Sequence, residues 1–184
     1  MGKNRVRIIG GAWRSRLIAF PPRLNLRPTP DRVRETLFNW LGQDLTGAAC
    51  LDLFAGSGAL GFEAASRGAR RVVMVERDAV VFRALTATRA TLEAAAVELK
   101  RADALEFLRA DGEVYDVVFV DPPYRSDYWP RIAPLLPQRL APEALVYRES
   151  AGHADAPPGW AVHKQGRAGQ VGYQLLKKVE LLTR

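Results

Sequence analysis

The stretch FVDPPY, at residues 119–124, places an acid, two prolines and an aromatic ring directly after an apolar run. Such a run is typical of a buried strand, but prolines donate no hydrogen bond to a sheet. The Asp121 carboxylate and the Pro122 carbonyl could each accept one proton of a conjugated exocyclic amine. Tyr124 offers a face on which a flipped base could stack. The stretch is therefore a candidate site for chemistry on the amine of a nucleobase.

A second candidate site is the glycine-rich stretch LDLFAGSGALG at residues 51–61. Gly56, Gly58 and Gly61 have G-x-G-x-x-G spacing between a predicted strand and a predicted helix, and Glu76 lies 20 residues beyond Gly56. Glycines let the backbone approach a ligand, and an acid after the second strand can hold ribose hydroxyls. Taken alone, this pattern also fits a dinucleotide site.

Asp52 favours a different ligand. A dinucleotide brings a diphosphate to the start of the helix, where a carboxylate just before the loop would repel it. S-adenosylmethionine carries a sulfonium and an ammonium group and no phosphate, so Asp52 favours this cofactor. Glu76 would then bind the ribose, and Asp103, after the third predicted strand, the adenine amino group. Asp103 is also placed to be a helix N-cap.

The elements that would position these residues alternate between short apolar runs and helix-like stretches from about residue 48 onward. Continuous apolar runs separated by helices predict a parallel sheet covered on both faces, hence an α/β fold. Two extended runs, at residues 161–165 and 170–179, predict a closing hairpin without an intervening helix. The predicted strands before this hairpin lie at residues 49–55, 71–76, 97–101, 115–121 and 144–150, and the predicted helices at 59–67, 78–95, 104–109 and 128–136.

The first 43 residues are organised differently. Residues 6–11 and 15–20 predict two short strands, followed by a helix with Thr29 as N-cap and Pro30 in the first turn. Asp31 suits the positive end of this helix. Helical spacing gives the helix one core-facing side, and the remaining sides are predicted to carry Arg32 and Arg34. The predicted core-facing residues are Val33, Leu37, Trp40 and Leu41.

Charge is concentrated at the two ends of the sequence. Residues 1–43 hold nine Lys/Arg against two acids, and residues 160–184 hold five against one, whereas the total net charge is +7. This distribution indicates a catalytic body flanked by segments that meet a polyanion. The single cysteine, Cys50, has no histidine nearby in the sequence and predicts a buried thiol rather than a metal ligand. No apolar run is long enough to cross a bilayer, so a cytoplasmic protein is expected.

The segments LDLFAGSGALGFEAASRGA, VVMVERD and VFVDPPY resemble Rossmann-like class I S-adenosylmethionine-dependent methyltransferases. The head, RIIGGAWRSRLIAFPP followed by LRPTPDRVRETLFNWL, resembles more narrowly the bacterial 16S rRNA guanine-N2 methyltransferases of the RsmD type. This resemblance implies a mostly parallel seven-stranded sheet with an antiparallel last strand, helices on both faces, and an N-terminal β-hairpin and helix. It implies a basic extension at residues 1–28 and a methyltransferase domain at residues 29–184.

The resemblance also implies methylation of one guanine, position 966 in the usual rRNA count, within the assembled or assembling small ribosomal subunit. A monomer without a metal is expected. The implied catalytic residues are Asp121, Pro122 and Tyr124; the cofactor residues are Asp52, Phe54, Gly56, Gly58, Glu76, Asp103 and Ala104; and the RNA-binding residues are Arg14, Arg16, Arg27, Thr29 and Arg32.

Other functions remain open at the level of sequence. Adenine presents an equally conjugated amine, so a DNA adenine-N6 methyltransferase fits the tetrapeptide, although no separate target-recognition domain is evident. A non-catalytic RNA-binding protein could keep the same fold, but the intact set from Asp121 to Tyr124 argues against it. Asp52 and the absence of a plausible hydride-site histidine argue against a nicotinamide-dependent dehydrogenase.

Overall fold

A seven-stranded sheet forms the centre of the protein in the computed structural model, which describes residues 4–22, 28–123, 128–151 and 155–179. A separate antiparallel hairpin, of β1 (Asn4–Arg7) and β2 (Leu17–Phe20), precedes the sheet in the chain. The strands of the sheet are β3 (Ala49–Asp52), β4 (Arg71–Val75), β5 (Val97–Lys100), β6 (Tyr115–Val120), β7 (Leu140–Ala151), β8 (Trp160–Ala168) and β9 (Val171–Lys178).

The sheet has the strand order β5-β4-β3-β6-β7-β9-β8. Strands β3 to β7 run parallel to one another, whereas β9 is antiparallel to both β7 and β8. The predicted mostly parallel sheet with an antiparallel last strand is therefore confirmed. The chain proceeds outward from β3 to β5 and then returns to β6 beside β3. Open α/β sheets bind their ligands at such a reversal, beyond the carboxyl ends of the strands.

Helices cover both faces because alternate residues of each buried strand point to opposite sides. Cys50, Met74 and Phe119 belong to one core, whereas Leu51 and Val73 belong to the other. Helices α1 to α3 pack on the first core, and α4 and α5 pack on the second. The helices are α1 (Asp31–Trp40), α2 (Ala59–Ser66), α3 (Ala79–Thr91), α4 (Ala104–Ala110) and α5 (Trp129–Ile132). None of the helices in the described ranges combines the length and apolarity needed to cross a membrane.

The N-terminal hairpin packs directly on the body of the protein. Val6, Ile8, Ile18 and Phe20 are buried in the core shared with α1 to α3. The residues that connect the two strands contact the end of α2, where the Ser66 carbonyl accepts a hydrogen bond from Ala12 N at 2.7 Å. Burial of these apolar side chains therefore holds the hairpin against helices α1 to α3.

A buried ionic cluster ties the hairpin to α1 and α2 through the Glu63 carboxylate. Its two oxygens accept hydrogen bonds from Ile9 N and Gly10 N, both at 2.8 Å. Arg67 Nε donates at 2.8 Å and Arg34 Nη1 at 3.4 Å, so two guanidinium groups balance one buried carboxylate. Several charge-assisted bonds to one group offset the desolvation of these charges.

Two sequence predictions for α1 are wrong. Thr29 makes no capping hydrogen bond; Pro30 is the N-cap residue, and its carbonyl accepts from the Val33 and Arg34 amides. Arg34, predicted on an exposed side, is completely buried. Its Nε donates to the Thr29 carbonyl at 3.1 Å and its Nη2 to Asp31 at 2.6 Å, in addition to the contact with Glu63. These three partners, of which only Glu63 is distant in the sequence, allow this arginine to be buried.

The helix predicted at residues 128–136 is shorter and divided in the structure. Helix α5 spans only Trp129–Ile132, and a 3₁₀ turn follows at Leu136–Arg139. Pro134 and Pro137 account for the division, because proline lacks the amide hydrogen that an α-helix needs. The chain then enters β7 at Leu140, four residues before the predicted start of this strand.

Candidate active site

A cavity of about 870 Å³ opens at the carboxyl ends of β3, β4, β6 and β7. This volume falls in the range of small-molecule sites. Its wall combines the predicted cofactor and amine-binding residues, which are far apart in the sequence. The predicted site residues on the wall are Thr29, Asp52, Phe54, Gly56, Glu76, Asp103, Ala104, Asp121 and Pro122.

Two glycines of the loop have different roles: Gly56 leaves room for a ligand, and Gly58 allows close packing. Gly56, with φ +50°, lies on the cavity wall. Gly58 does not line the cavity; it caps α2 with φ +83°, and a Cβ there would lie 2.6 Å from the Phe62 ring and 2.8 Å from Leu85. Gly58, predicted to bind cofactor, thus has a structural reason to be glycine.

Asp52 presents a buried carboxyl group with one oxygen still lacking a donor. Oδ2 accepts from Gly61 N at 3.0 Å, whereas Oδ1 meets no hydrogen-bond donor among the described residues. Burial, assisted by the negative charge of Glu76, raises the pKa of Asp52 to about 7, against the opposing effect of the Gly61 and Phe54 amides. A buried acceptor of this kind is suited to a cationic ligand, which would supply the missing partner.

Glu76 and Asp103 are fixed by the backbone on either side of the cavity. The Glu76 carboxylate accepts from Gly56 N at 3.1 Å and from Asp78 N at 2.7 Å. Asp103 caps α4 by accepting from Leu105 N at 2.9 Å, and it also faces the cavity. Both roles predicted for Asp103 are thus compatible, since each carboxylate oxygen has more than one acceptor site.

The Asp121 side of the cavity contains a group of hydrogen-bonded side chains. Thr29 Oγ1 donates to Asp121 Oδ2 at 3.2 Å. The Glu149 carboxyl lies next to Asp121 on the paired strands β6 and β7 and also lines the cavity, and the Tyr147 hydroxyl donates to Glu149 Oε1 at 2.7 Å. Burial, then the charges of Glu149 and Asp52, raise the pKa of Asp121 well above its usual value. Tyr124, predicted to complete this site, lies outside the described residues.

Sequence reasoning missed several residues of the cavity wall, among them Arg77, Tyr128 and Glu149. The Tyr128 ring packs against Phe54 with centroids 5.0 Å apart, and Arg77 Nη1 donates to the Tyr128 hydroxyl at 3.4 Å. Glu149 lies near the carboxyl end of a predicted strand, as Asp121 does, and that shared placement is the sequence signal that could have found it. Tyr128 and Arg77 lie in connecting segments and offer no comparable signal.

The predicted RNA-binding residues lie in two different regions. Thr29 is on the cavity wall and Arg32 is exposed on the first turn of α1, whereas Arg27 falls outside the described residues. Arg14 and Arg16 are exposed between β1 and β2, and Arg16 Nη2 donates to the carbonyl of Thr91, the last residue of α3. Because α2 and α3 return to the amino ends of the strands, Arg14 and Arg16 lie at the edge opposite the cavity.

Comparison with known proteins places the chain among the relatives of one enzyme. The protein family described as Conserved hypothetical protein 95 matches residues 6–177. Ribosomal RNA small subunit methyltransferase D of Escherichia coli K12 is 44% identical over 182 residues, which cover 96% of this chain and 92% of the relative. The chain belongs to the RsmD-type methyltransferase family.

Further members of the RsmD-type family show the same likeness. The Haemophilus influenzae protein of that name is 40% identical over 181 residues, which cover 94% of each chain. A solved structure of a putative methyltransferase, yhhF from Escherichia coli, is similar with a TM-score of 0.85 and 45% identity, covering 95% of this chain and 98% of the other. The hairpin, helix and sheet therefore form a fold that the RsmD-type family shares. Within the described ranges of this RsmD-type chain, no group of histidine, cysteine and acidic side chains could hold a metal ion.

Proposed function

We propose that the protein transfers a methyl group from S-adenosylmethionine to the N2 amine of a guanine in 16S rRNA of the small ribosomal subunit. The observation that supports this most is that Asp121 and Pro122 share one cavity with Asp52 and Glu76. A methyl donor and an acceptor amine could thus meet without crossing bulk water. The relatives' name, ribosomal RNA small subunit methyltransferase D, supports rRNA as the polymer.

The cofactor half of the cavity has the chemistry that S-adenosylmethionine requires. The Asp52 oxygen without a donor suits the ammonium or sulfonium cation, Glu76 suits the ribose hydroxyls, and Asp103 suits the adenine amino group. Phe54 and Ala104 supply apolar wall beside these acids. When bound, the cofactor supplies an electrophilic methyl group. The protein supplies the cavity that holds this group and excludes water.

The acceptor half of the cavity suits a conjugated amine, which is a poor nucleophile and needs positioning more than deprotonation. We infer that the Asp121 carboxyl and the Pro122 carbonyl accept the two amine protons and so direct the nitrogen lone pair at the methyl carbon. The adjacent prolines have fixed φ angles and hold that carbonyl rigidly. Tyr124 is proposed to stack on the flipped base.

The RNA-binding surface is proposed to use the basic N-terminal segment. Thr29 lies on the cavity wall and Arg32 is exposed on the first turn of α1, three residues further along the chain, where they would meet the target nucleotide and its neighbours. Arg27 is placed with them on the family resemblance alone. Arg14 and Arg16 would bind phosphates farther away, on RNA that extends past α2 and α3. The protein is proposed to act as a monomer in the cytoplasm, on assembled or assembling subunits.

The test is transfer of labelled methyl groups to naked 16S rRNA, assembled small subunits and duplex DNA in parallel, followed by mapping of the modified base. We expect label on a guanine N2 in one or both rRNA substrates. Label on adenine in duplex DNA would show the DNA adenine-N6 activity that the tetrapeptide equally allows. No transfer to any polymer, with normal binding of S-adenosylhomocysteine, would favour a non-catalytic RNA-binding protein.

A further inference from the structure

The carboxyl groups of Asp121 and Glu149 face each other at the base of the acceptor half of the cavity. Strands β6 and β7 are paired so that Val120 lies beside Arg148, which brings the next residue of each strand to the same level. Both carboxyl groups line the cavity, next to each other on the paired strands. Because two ionised carboxylates side by side repel each other and each only accepts hydrogen bonds, a single proton shared by the pair is favoured.

The neighbouring groups favour the proton on Asp121 and the negative charge on Glu149. Glu149 Oε1 accepts the Tyr147 hydroxyl at 2.7 Å, which stabilises a charge on Glu149. Among the described residues, the hydrogen bond that Asp121 accepts is the longer one from Thr29, at 3.2 Å, and the charge of Asp52 at the end of β3 also acts on Asp121. From β9, Tyr173 also helps to raise the pKa of Tyr147. Burial raises the pKa of both acids, and that of Asp121 is also raised by the charge of Glu149.

Building on the proposed function, we propose that Glu149 is a positioning residue that keeps Asp121 protonated and finally accepts the Asp121 proton, when Asp121 takes up the proton released by the methylated amine. Asp121 then meets the amine as a neutral acid, whose carbonyl oxygen accepts an amine hydrogen. The negative charge of the pair lies behind it, on Glu149. This arrangement avoids placing two ionised carboxylates next to Asp52 in a confined site.

The proton balance of the step follows from this arrangement. A bond forms between the amine nitrogen and the methyl carbon as the carbon–sulfur bond breaks, and the electron pair of the broken bond stays on sulfur. The nitrogen, now positively charged, releases a proton to the carbonyl oxygen of Asp121, and the N–H electron pair returns to nitrogen. Asp121 passes its own proton to Glu149. Both carboxyls are then neutral, the state that burial favours, until one proton leaves to solvent.

Infrared spectroscopy of the substrate-free protein tests the shared proton directly. At about pH 8, Asp52 is largely ionised, so the carboxylic-acid C=O band of the wild type should report mainly the Asp121–Glu149 pair. We expect Asp121→Asn to remove this band. In Glu149→Gln, the band should disappear at a lower pH than in the wild type. The like charge of Glu149 is gone and an amide N–H faces Asp121, and both changes lower the pKa of Asp121. Glu143→Gln, at an exposed position on β7, is the control and should leave the band unchanged. A band insensitive to Glu149→Gln would overturn the proposal.

Single-turnover methyl transfer provides the second measurement. We expect Glu149→Gln to slow this step by about 100-fold, within the range of general acid–base catalysis, with unchanged binding of S-adenosylhomocysteine. Tyr147→Phe keeps the ring but removes the donor to Glu149, and should change the carboxyl band in a protein whose fold is preserved. An unchanged rate with Glu149→Gln would contradict the relay. The infrared assay needs no substrate, so failure of the guanine assignment would not affect its result.

Discussion

At the scale of single residues, Asp52 shows how a site for a cation affects stability. Its buried carboxyl has a pKa of about 7, above the usual value of 3.8, so the folded state binds a proton more tightly than the unfolded state does. The free energy of unfolding should therefore fall as pH rises from about 4 through about 7. The side chain that suits a positively charged ligand thus destabilises the ligand-free protein at neutral pH.

Asp52→Asn should separate the effect of the buried charge on stability from its effect on cofactor binding. Asparagine can still accept from Gly61 N but carries no charge, so we expect the ligand-free variant to be more stable than the wild type at about pH 8, by up to about 4 kcal/mol. The gain should vanish near pH 4. Urea unfolding at several pH values measures it. Affinity for S-adenosylmethionine should fall about 10- to 100-fold in calorimetry, as expected for loss of a charged hydrogen-bond partner. Equal stabilisation at both ends of the pH range would show that burial of charge is not the cause.

Asp121→Ala tests the proposed acceptor of the amine. The substitution removes a hydrogen-bond acceptor at the amine and leaves Asp52, Gly56 and Glu76 in place. We expect methyl transfer to fall by at least about 1,000-fold, because positioning and electrostatic stabilisation are lost together. Binding of S-adenosylhomocysteine, measured by calorimetry, should remain nearly unchanged. Retained activity would assign the amine to other groups.

At the scale of secondary-structure elements, Glu63 joins α2 to α1 and to the hairpin. Glu63→Gln would leave the buried Arg34 and the nearby Arg67 without their shared carboxylate, so we expect a loss of about 3 kcal/mol in the free energy of unfolding. Glu143→Gln is the matched control, because Glu143 pairs with Lys177 on the surface at 2.7 Å. The control should show no measurable change in the same urea titration. A similar small effect for both variants would mean that water reaches the Glu63 cluster.

Gly58→Ala tests the junction between the glycine loop and α2. A Cβ at this position would collide with Phe62 and Leu85 in a left-handed backbone conformation, so we expect a loss of stability of about 2 to 4 kcal/mol. Gly112→Ala is the control, since a Cβ there meets nothing within 4 Å. Thermal unfolding compares the two variants. If Gly58→Ala unfolds like the wild type but loses cofactor affinity, Gly58 acts on the ligand rather than on packing.

The elements themselves could be predicted because strand and helix periodicities are local. The predicted strand at residues 71–76 differs from β4 by one residue. Burial of Arg34 could not be predicted in this way, because its partner Glu63 lies 29 residues along the chain. Local spacing alone favours the usual exposed arginine. Glu149 escapes prediction for a related reason: only the pairing of β6 with β7 brings it to Asp121. Thr29 has a hydroxyl that suits a helix cap, but the hydroxyl instead donates to Asp121.

At the scale of the whole molecule, Arg14 and Arg16 are proposed to extend the RNA-binding surface to the edge opposite the cavity. Arg14→Ala combined with Arg16→Ala should weaken binding to the rRNA substrate. The slope of log affinity against log salt concentration should fall by about 1.5, because each phosphate that is no longer neutralised lowers it by roughly 0.7 to 0.9. The control pair, Arg70→Ala with Arg109→Ala, removes the same charge from exposed positions outside the hairpin, just before β4 and in the last turn of α4. Equal effects for the two pairs would indicate a general charge effect and remove the hairpin from the RNA path.

The last strand of the sheet lies inside it, and this placement affects how the protein is made. β9 is hydrogen-bonded to β7 on one side and to β8 on the other, so β8 has no partner strand until residues 171–178 have been synthesised. Until then, a nascent chain leaves the edge of β7 open to wrong pairing. Ala168 and Val171, at the turn between β8 and β9, line the cavity. The growing polypeptide therefore has no complete site until translation has passed Val171.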